Sequence, residues 1–534
     1  MEKFVLAYDI GTTGVKTCLF KIDKVITLLA SETMGYDLYI MPDGGAEQDA
    51  DEWWNAMCET TKEVFSKSEI RPDQIAGISF CSQMQGVVAV DSDGDVLRRP
   101  MSYLDQRAKK ELKEGIAHGA QIAGANIAKL IPYLRITGAV SCSVKDPIWK
   151  YKWIEANEPD VFKKIYKVFD VKDYLICRCT GEFKCTPDSA FGYLLYDTRK
   201  GHEGWSKKIC DMVGFDMDHL PEIVDSTEAF GTITEKAAEE LGLAAGTPVF
   251  GGGGDASLIG VGAGAVQVGD THIYSGTSGW VGTVVDKQLV DTGAMIAAIC
   301  GVQPGKFNYF AEMETASKCF EWVKDHLALD EIDIYKEKHD ITEAKEDFEA
   351  AYESLYDYLS EIVSKVPAGS NGVIFTPWLH GNRCPFEDPN AAGMFFNINV
   401  DTGKNDMIRA VLEGICFHLR WMYERECKKV KSNGAVRFVG GGALSSVTCQ
   451  MLSDILGVPV ETVASPQNVG SVGAAAVVGV GIGMIASLDD VKEFIPAVAK
   501  YTPNPELKAA YDKNYEVFIK LYDYNKKAFA ALNG

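Results

Sequence analysis

The chain has little clustered positive charge. Its 534 residues carry 53 Lys and Arg against 75 Asp and Glu, a formal net charge of −22. This balance argues against a general nucleic-acid binder, because neutralising a phosphate backbone takes grouped Lys and Arg. A single anionic nucleotide stays compatible with it, held by backbone N–H groups and a metal ion. The 14 cysteines contain no CxxC pair, and only Cys177 and Cys179 stand close together. Neither a zinc site nor a disulfide framework is signalled, and free buried thiols are expected. The start, MEKFVLAYDIGTTG, lacks a signal peptide's unbroken apolar core, since Asp9 interrupts it; a reducing cytoplasm is the expected setting. No Walker A sequence occurs, nor a convincing Rossmann GxGxxG with an acidic residue in the right place downstream. One uncharged run, VGSVGAAAVVGVGIGMIAS from Val469 to Ser487, approaches membrane-spanning length at about 19 residues. It has no aromatic belt or basic flank, so a buried small-residue helix packed closely on a neighbour is expected, and no membrane.

What is present is a soluble globular composition, 46% hydrophobic and 24% charged. The length suggests roughly two to four domains. Strands are expected at KFVLAYDI, TCLFKI and IAGISF, with a helix at DADEWWNAMCETTKEVF and an Asp-Gly turn in GVVAVDSDGDVL, which makes the first part α/β. Helical patterns follow in PIWKYKWIEANEP and KKIYKVFDVKDYLICRCTGE. The run VFGGGGDASLIGVGAGAV passes from strand through four glycines into a helix. A domain boundary is placed there, giving halves 1–250 and 251–534. The charged stretch 315–366 reads as a peripheral helical insertion. In DMIRAVLEGICFHL, Ile408, Val411, Leu412, Ile415 and Leu419 share one helical face.

Two loops repeat across the halves. LAYDIGTTGVKTCLF sets Gly11-Thr12-Thr13 between apolar runs, and HIYSGTSGWVGTVV does the same with Gly276-Thr277-Ser278. Glycine lets backbone amides approach phosphate oxygens and the hydroxyls add donors, so both are candidate phosphate cradles. Asp9 precedes only the first loop. It could hold Mg²⁺ beside nucleotide phosphates, or cap a turn. Asp255 follows the four glycines at a helix start. It could accept the proton of a substrate hydroxyl attacking a γ-phosphoryl group, or serve as an N-cap. The turn GGGALSS, with Gly440, Gly441 and Gly442, suits a flat adenosine group or plain strand-to-helix geometry.

Taken in order, DIGTTGVK, GGGGD, YSGTSG, NRCPFEDPNAAG, MIRAVLEGICF and GGGALSS resemble the FGGY family of carbohydrate kinases, and among its members the xylulokinases most. The resemblance runs to about residue 483 and is weakest over 315–366. It implies two actin-like, ribonuclease-H-like domains around a central cleft, with ATP and Mg²⁺ on the side of residues 251–534 and an open-chain sugar on the side of residues 1–250. Carried over by motif, it implies Asp255 as catalytic base and Asp9 as the metal-associated carboxylate. Gly11, Thr12, Thr13, Lys16, Gly276, Thr277, Gly441, Gly442 and Ser446 would bind ATP. Met84, Gln85, Asp105 and Arg107 would bind the sugar, and a homodimer is compatible with the resemblance.

The sugar side departs from the xylulokinase pattern. Gln85 stands where histidine is usual, Ala256 where asparagine is usual, and Asn382 where a glutamate normally precedes the Arg-x-Pro. Glutamine can replace histidine as donor and acceptor, whereas alanine cannot replace an amide and opens space. The reading is ATP-dependent phosphorylation of a small open-chain sugar, D-xylulose first, with ribulose, glycerol, erythritol and gluconate as alternatives. An actin- or Hsp70-like ATPase is the competing class. GGGGD and SYLDQR favour the kinase, because an ATPase without a small acceptor has no evident need of both.

Overall fold

The computed structural model describes residues 2–122, 124–327 and 359–534. The three opening apolar runs form β1 (Lys3–Ile10), β2 (Gly14–Ile22) and β3 (Ile26–Gly35), an antiparallel meander. β1 shows no hydrophobic alternation because both its faces are covered. Leu6, Tyr8 and Ile10 pack toward α1 (Ala50–Ser66), beside Trp53 and Met57, while Val5 and Ala7 face a different core cluster. The Asp49 side chain accepts from the Asp51 amide and starts α1. β4 (Ile75–Ser82) lies parallel to β1. β5 (Ala229–Thr232) and β6 (Pro248–Phe250) extend the sheet in the order β5-β6-β4-β1-β2-β3, and β7 (Gly253–Gly254) pairs with the end of β4.

The second sheet contains β8 (Thr271–Ser275), β9 (Gly279–Val285), β10 (Val290–Asp291), β11 (Ile296–Cys300), β12 (Phe307–Met313), β13 (Val436–Val439), β14 (Val460–Val463) and β15 (Ala497–Tyr501). Its order is β10-β11-β12-β9-β8-β13-β14-β15. The two sheets share one plan. A strand turns through a Gly-Thr loop into an antiparallel partner, and its other edge takes a parallel strand: β1 with β2 and β4, β8 with β9 and β13. The repeated loop seen in the sequence is therefore a repeated piece of topology, as expected of two actin-like halves.

Between the sheets, α2 (Asp255–Gly262) crosses a helix from the far end of the chain. α3 (Lys404–Cys427) buries the expected Ile408, Val411, Leu412, Ile415 and Leu419 face, and the crossing helix is α4 (Val469–Gly481). Every residue from Val469 to Gly479 is buried. A methyl placed on Gly262 would lie 1.8 Å from the Val469 carbonyl oxygen, and one on Gly473 2.7 Å from that of Leu258. The uncharged run is thus close-packed interior helix from Val469 to Gly479, while its end leaves the helix, with Gly481, Gly483 and Ala486 exposed. No helix among the described residues is long and apolar enough to cross a membrane.

Most of the insertion expected over 315–366 lies outside the described residues. Its described flanks are core and not periphery: the helix Ser317–His326 buries Cys319, Phe320 and Val323, and Leu359 and Val363 join the same cluster. Charge along this stretch masked the apolar face that anchors it. All cysteines are free thiols, and all but Cys142 and Cys427 are buried.

Candidate active site

Both Gly-Thr loops are tight turns whose shape is set by their own backbone. Gly11 N–H donates to Gly14 O at 2.9 Å, and Gly276 N–H to Ser278 O at 2.9 Å. Surrounding groups brace them. The Tyr36 hydroxyl donates to Gly11 O, Gln48 Nε2 donates to Thr12 O at 2.6 Å, and the amides of Ala316 and Ser317 donate to Thr277 O and Gly276 O. A methyl on Gly276 would sit 2.3 Å from the Tyr274 hydroxyl oxygen, so only glycine fits there. Thr13 and Thr277 remain exposed. Hydroxyls facing outward from braced glycine turns suit phosphate oxygens.

Asp9 sits in register with Cys81 on β4 and Lys16 on β2. Burial pushes its carboxyl up, opposed by the Lys16 charge and a hydrogen bond from Cys81. The first turn of α4 abuts it, since a methyl on Gly470 would lie 3.0 Å from Asp9 Oδ2. Lys16 itself is moored, donating to Asn468 Oδ1 at 2.9 Å and Gln467 O at 3.3 Å. Among the described residues no group of three His, Cys, Asp or Glu side chains could cage a metal ion. The donor set at Asp9 is instead one carboxylate beside a phosphate-shaped loop, the arrangement Mg²⁺ favours when nucleotide oxygens complete its shell.

Asp255 opens α2, with Ala256 N–H donating to its Oδ1 at 2.7 Å. Burial pushes its carboxyl up to about 7; the Ala256 amide opposes the rise, and the nearby charges of Asp9, Glu312 and Asp170 add to it. A carboxyl held there can take and return a proton near neutrality.

Asp255 and Ala256 line a cavity of about 470 Å³ between the halves. Thr12, Gln83, Met84, Gln85 and Tyr103 line it from the first half, and Ser278, Trp280, Glu312, Arg383 and Glu387 from the second. Phe191, Leu194, Ile299 and Phe310 add apolar wall. Met84 is packed on Gly254, where a methyl would meet its Cγ at 2.2 Å. Gln85 has φ of 64°, a strained value for a residue with a side chain. Three bonds impose it. The amides of Gln85 and Gly86 each donate to Asp170 at 2.8 Å, and the fully buried Lys150 donates to Gln85 O at 2.6 Å.

The cavity gathers Met84, Gln85, Asp255 and Thr12, but it does not include Asp105 or Arg107. Asp105 is fully buried and accepts from Ala46 N and from Arg107 Nε and Nη2. Arg107 also bonds Glu47 and lies 4.3 Å over the Trp153 ring. The expected polyol pair is spent on itself in this structure, and braces the segment behind the cavity. Gly442 packs against the end of β8, where a methyl would meet Ser275 Cβ at 3.0 Å, and Gly441 has open space around it. Ser446 starts the helix Ser446–Leu456 and faces a separate depression with Gln450, Arg409 and Tyr511.

The cavity also brings in Tyr103, Lys145, Glu312 and Arg383, which the sequence did not single out. Arg383 ion-pairs with Glu312 and, at 3.3 Å, with Glu314. The signal for these two was an acid repeating at alternate positions at the end of a strand, YFAEMET. Asn382 is spent on its own loop, its Nδ2 donating to Cys384 O and Phe386 O.

The comparisons with known proteins agree with this architecture. Residues 4–262 match the N-terminal domain of the FGGY family of carbohydrate kinases, and residues 272–482 match its C-terminal domain. A xylulose kinase of Bacillus subtilis (strain 168) is 27% identical over 532 residues, covering 99% of each chain. A gluconokinase of the same organism is 28% identical over 529 residues, covering 98% of this chain and 96% of the relative. The crystal structure of a ligand-bound xylulose kinase from Lactobacillus acidophilus superposes with a TM-score of 0.82 at 25% identity over 99% of both chains. With both domain models matched in order on a duplicated fold that closes around a shared cavity, the chain belongs to the FGGY family of carbohydrate kinases, which are ATP-dependent phosphotransferases.

Proposed function

We propose that this protein transfers the γ-phosphoryl group of ATP to a hydroxyl of a small open-chain sugar, D-xylulose first, with Asp255 as the general base. One observation carries the reading: a carboxyl tuned to about 7 lies in the same cavity as Met84 and Gln85 and next to both Gly-Thr loops. In this reading residues 1–250 hold the sugar and residues 251–534 the nucleotide. Bound Mg²⁺–ATP supplies the phosphoryl group, with its charge screened by the metal. Asp9 holds the metal. The loops Gly11–Thr13 and Gly276–Thr277 orient the phosphates, and Gly441 and Gly442 border the adenosine. Gln85 fixes a sugar hydroxyl through its side-chain amide. Asp255 takes the proton of the attacking hydroxyl as its oxygen bonds to the γ-phosphorus and the bond from that phosphorus to the bridging oxygen breaks; ADP leaves with that oxygen, and Asp255 then releases the proton to water. Asp105 and Arg107 act behind the cavity.

D-Xylulose leads because a full-length relative at 27% identity is named a xylulose kinase. Gluconate is the second reading, and a specific observation supports it. Lys145 lines the cavity, and its ammonium makes no hydrogen bond or ion pair among the described residues, so it is placed to meet a carboxylate. ADP release measured with D-xylulose, D-ribulose, glycerol, erythritol and D-gluconate tests both readings. A preference for D-xylulose that survives Lys145→Met supports the first. A preference for gluconate that Lys145→Met abolishes supports the second. Release indifferent to every sugar would overturn the kinase reading.

A further inference from the structure

We propose that Tyr274 is a catalytic residue whose hydroxyl donates a hydrogen bond to the phosphoryl group in transfer. The proposal rests on the ATP-dependent reading above and adds a group that reading does not use.

The geometry begins with the strand. Tyr274 is the penultimate residue of β8, directly opposite Trp280 on β9. The two rings stack at 4.1 Å with an interplanar angle of 20°. Trp280 is fixed in turn, because its indole Nε1 donates to His272 Nε2 at 3.1 Å and its ring leans on Phe310. The phenol therefore has one orientation. Its outer edge lies directly beneath Gly276 of the second Gly-Thr loop, where a methyl would meet the hydroxyl oxygen at 2.3 Å and two ring carbons at 2.7 and 2.8 Å.

Three further observations point the same way. Tyr274 is only partly buried, and its hydroxyl has no hydrogen-bond partner among the described residues, whereas that of Tyr36, which braces the first Gly-Thr loop, has one. Burial, followed by the negative charges of Asp9 and Asp255, keeps the phenol protonated and so a donor. The hydroxyl lies beneath the Gly-Thr loop that the reading above gives to the phosphates, and the charges of Asp9 and Asp255, assigned there to the metal and to the proton, reach it. A donor already held in place beside developing negative charge stabilises a transition state without reorganising. A phosphoryl oxygen satisfies the Tyr274 hydroxyl, which has no partner among the described residues.

The test separates contact with the γ-phosphoryl group from a packing role. Mg²⁺–AMPPNP, a non-hydrolysable ATP analogue, and Mg²⁺–ADP are titrated calorimetrically into wild type and Tyr274→Phe, which keeps the stack and removes one oxygen. The expected result is weaker AMPPNP binding by about 10-fold or more with ADP unchanged, since a hydrogen bond to a charged group is lost. Sugar-dependent turnover falls by about 10- to 100-fold with the sugar KM held. Equal losses for both nucleotides, or none, overturn the proposal. So does an unchanged AMPPNP-to-ADP ratio with a displaced pH profile, which would mean that the hydroxyl serves a carboxylate instead. Wild-type protein inert toward every sugar but still showing the AMPPNP-selective loss in Tyr274→Phe would sink the sugar-kinase reading and leave this one standing. A normal thermal unfolding midpoint for Tyr274→Phe confirms that the fold is intact.

Discussion

Asp255, the proposed general base, has its carboxyl pushed up to about 7, and a base with that value imposes a pH dependence on turnover. Only the ionised carboxylate accepts the hydroxyl proton, so turnover follows the deprotonated fraction of Asp255. That fraction is roughly 0.1 at about pH 6 and roughly 0.9 at about pH 8, so kcat/KM for the sugar rises about tenfold across the interval. Most of the upward displacement is desolvation, which the protein retains whatever happens at neighbouring groups. Part of it is the charge of Asp9, which a substitution removes. Asp9→Asn therefore moves the acid limb to lower pH while lowering the plateau, because Asp255 then ionises against one fewer negative neighbour. Asp255→Asn loses the limb altogether and leaves a flat residual rate lower by about 10² to 10⁴. Initial-rate ADP release at fixed free Mg²⁺ in constant-ionic-strength buffers measures all three profiles. A wild-type profile level from about pH 6 to about pH 8, or a limb that persists in Asp255→Asn, refutes the assignment of the base.

The raised carboxyl also costs stability. A folded value above the ordinary 3.8 contributes stability at low pH that is lost as pH rises through about 7. Asp255→Asn, neutral throughout, should unfold at a higher temperature than wild type at about pH 8, by about 1 °C or more, with the gap closing toward about pH 4; scanning calorimetry reads this directly. Asp9→Asn should raise the Mg²⁺ concentration for half-maximal rate by about 10-fold or more while the sugar KM stays nearly constant, and an unchanged Mg²⁺ titration would return Asp9 to turn formation. Ala256→Asn restores an amide beside the base and should raise kcat/KM for D-xylulose relative to gluconate by about 5-fold or more; an unmoved ranking would place the sugar away from this helix start. Gly473→Val puts a branched side chain where a methyl already lies 2.7 Å from Leu258 O, and should destabilise the protein by about 1 to 3 kcal/mol in urea unfolding.

The strands at Lys3–Ile10 and Ile75–Ser82 and the helices at Ala50–Ser66 and Lys404–Cys427 were legible because local apolar runs, caps and 3.6-residue spacing carry them. Asp9 and Asp255 stood out in the sequence because the first ends an apolar strand before a glycine turn and the second follows four glycines at a helix start. The surroundings of Gln85 in the cavity were not legible. Lys150 and Asp170 fix Gln85 from 65 and 85 positions away, and no local pattern announces a lysine that will be buried without a carboxylate in contact. Asp105 and Arg107, which bond each other and do not line the cavity, show what a motif leaves out. A motif preserves residue types, while the partners that decide whether a charge is free, here Glu47 and Trp153, lie elsewhere in the chain. Nothing local in the sequence places Tyr274 beneath Gly276; its stacking on Trp280 does.

The crossing of α2 with α4 also bears on how the chain comes into being. Val5, Ala7, Cys18 and Phe20 of the first strands are covered by Ala474, Val477 and their neighbours, which ribosomes deliver more than four hundred residues later. Until then one face of the opening sheet is bare, and a chain stopped at the four glycines carries an apolar surface ready to associate with other copies. The halves resemble each other in plan, yet the first has no complete core of its own. Synthesis of the protein is thus expected to engage chaperones from the first domain onward, with release only once α4 has docked.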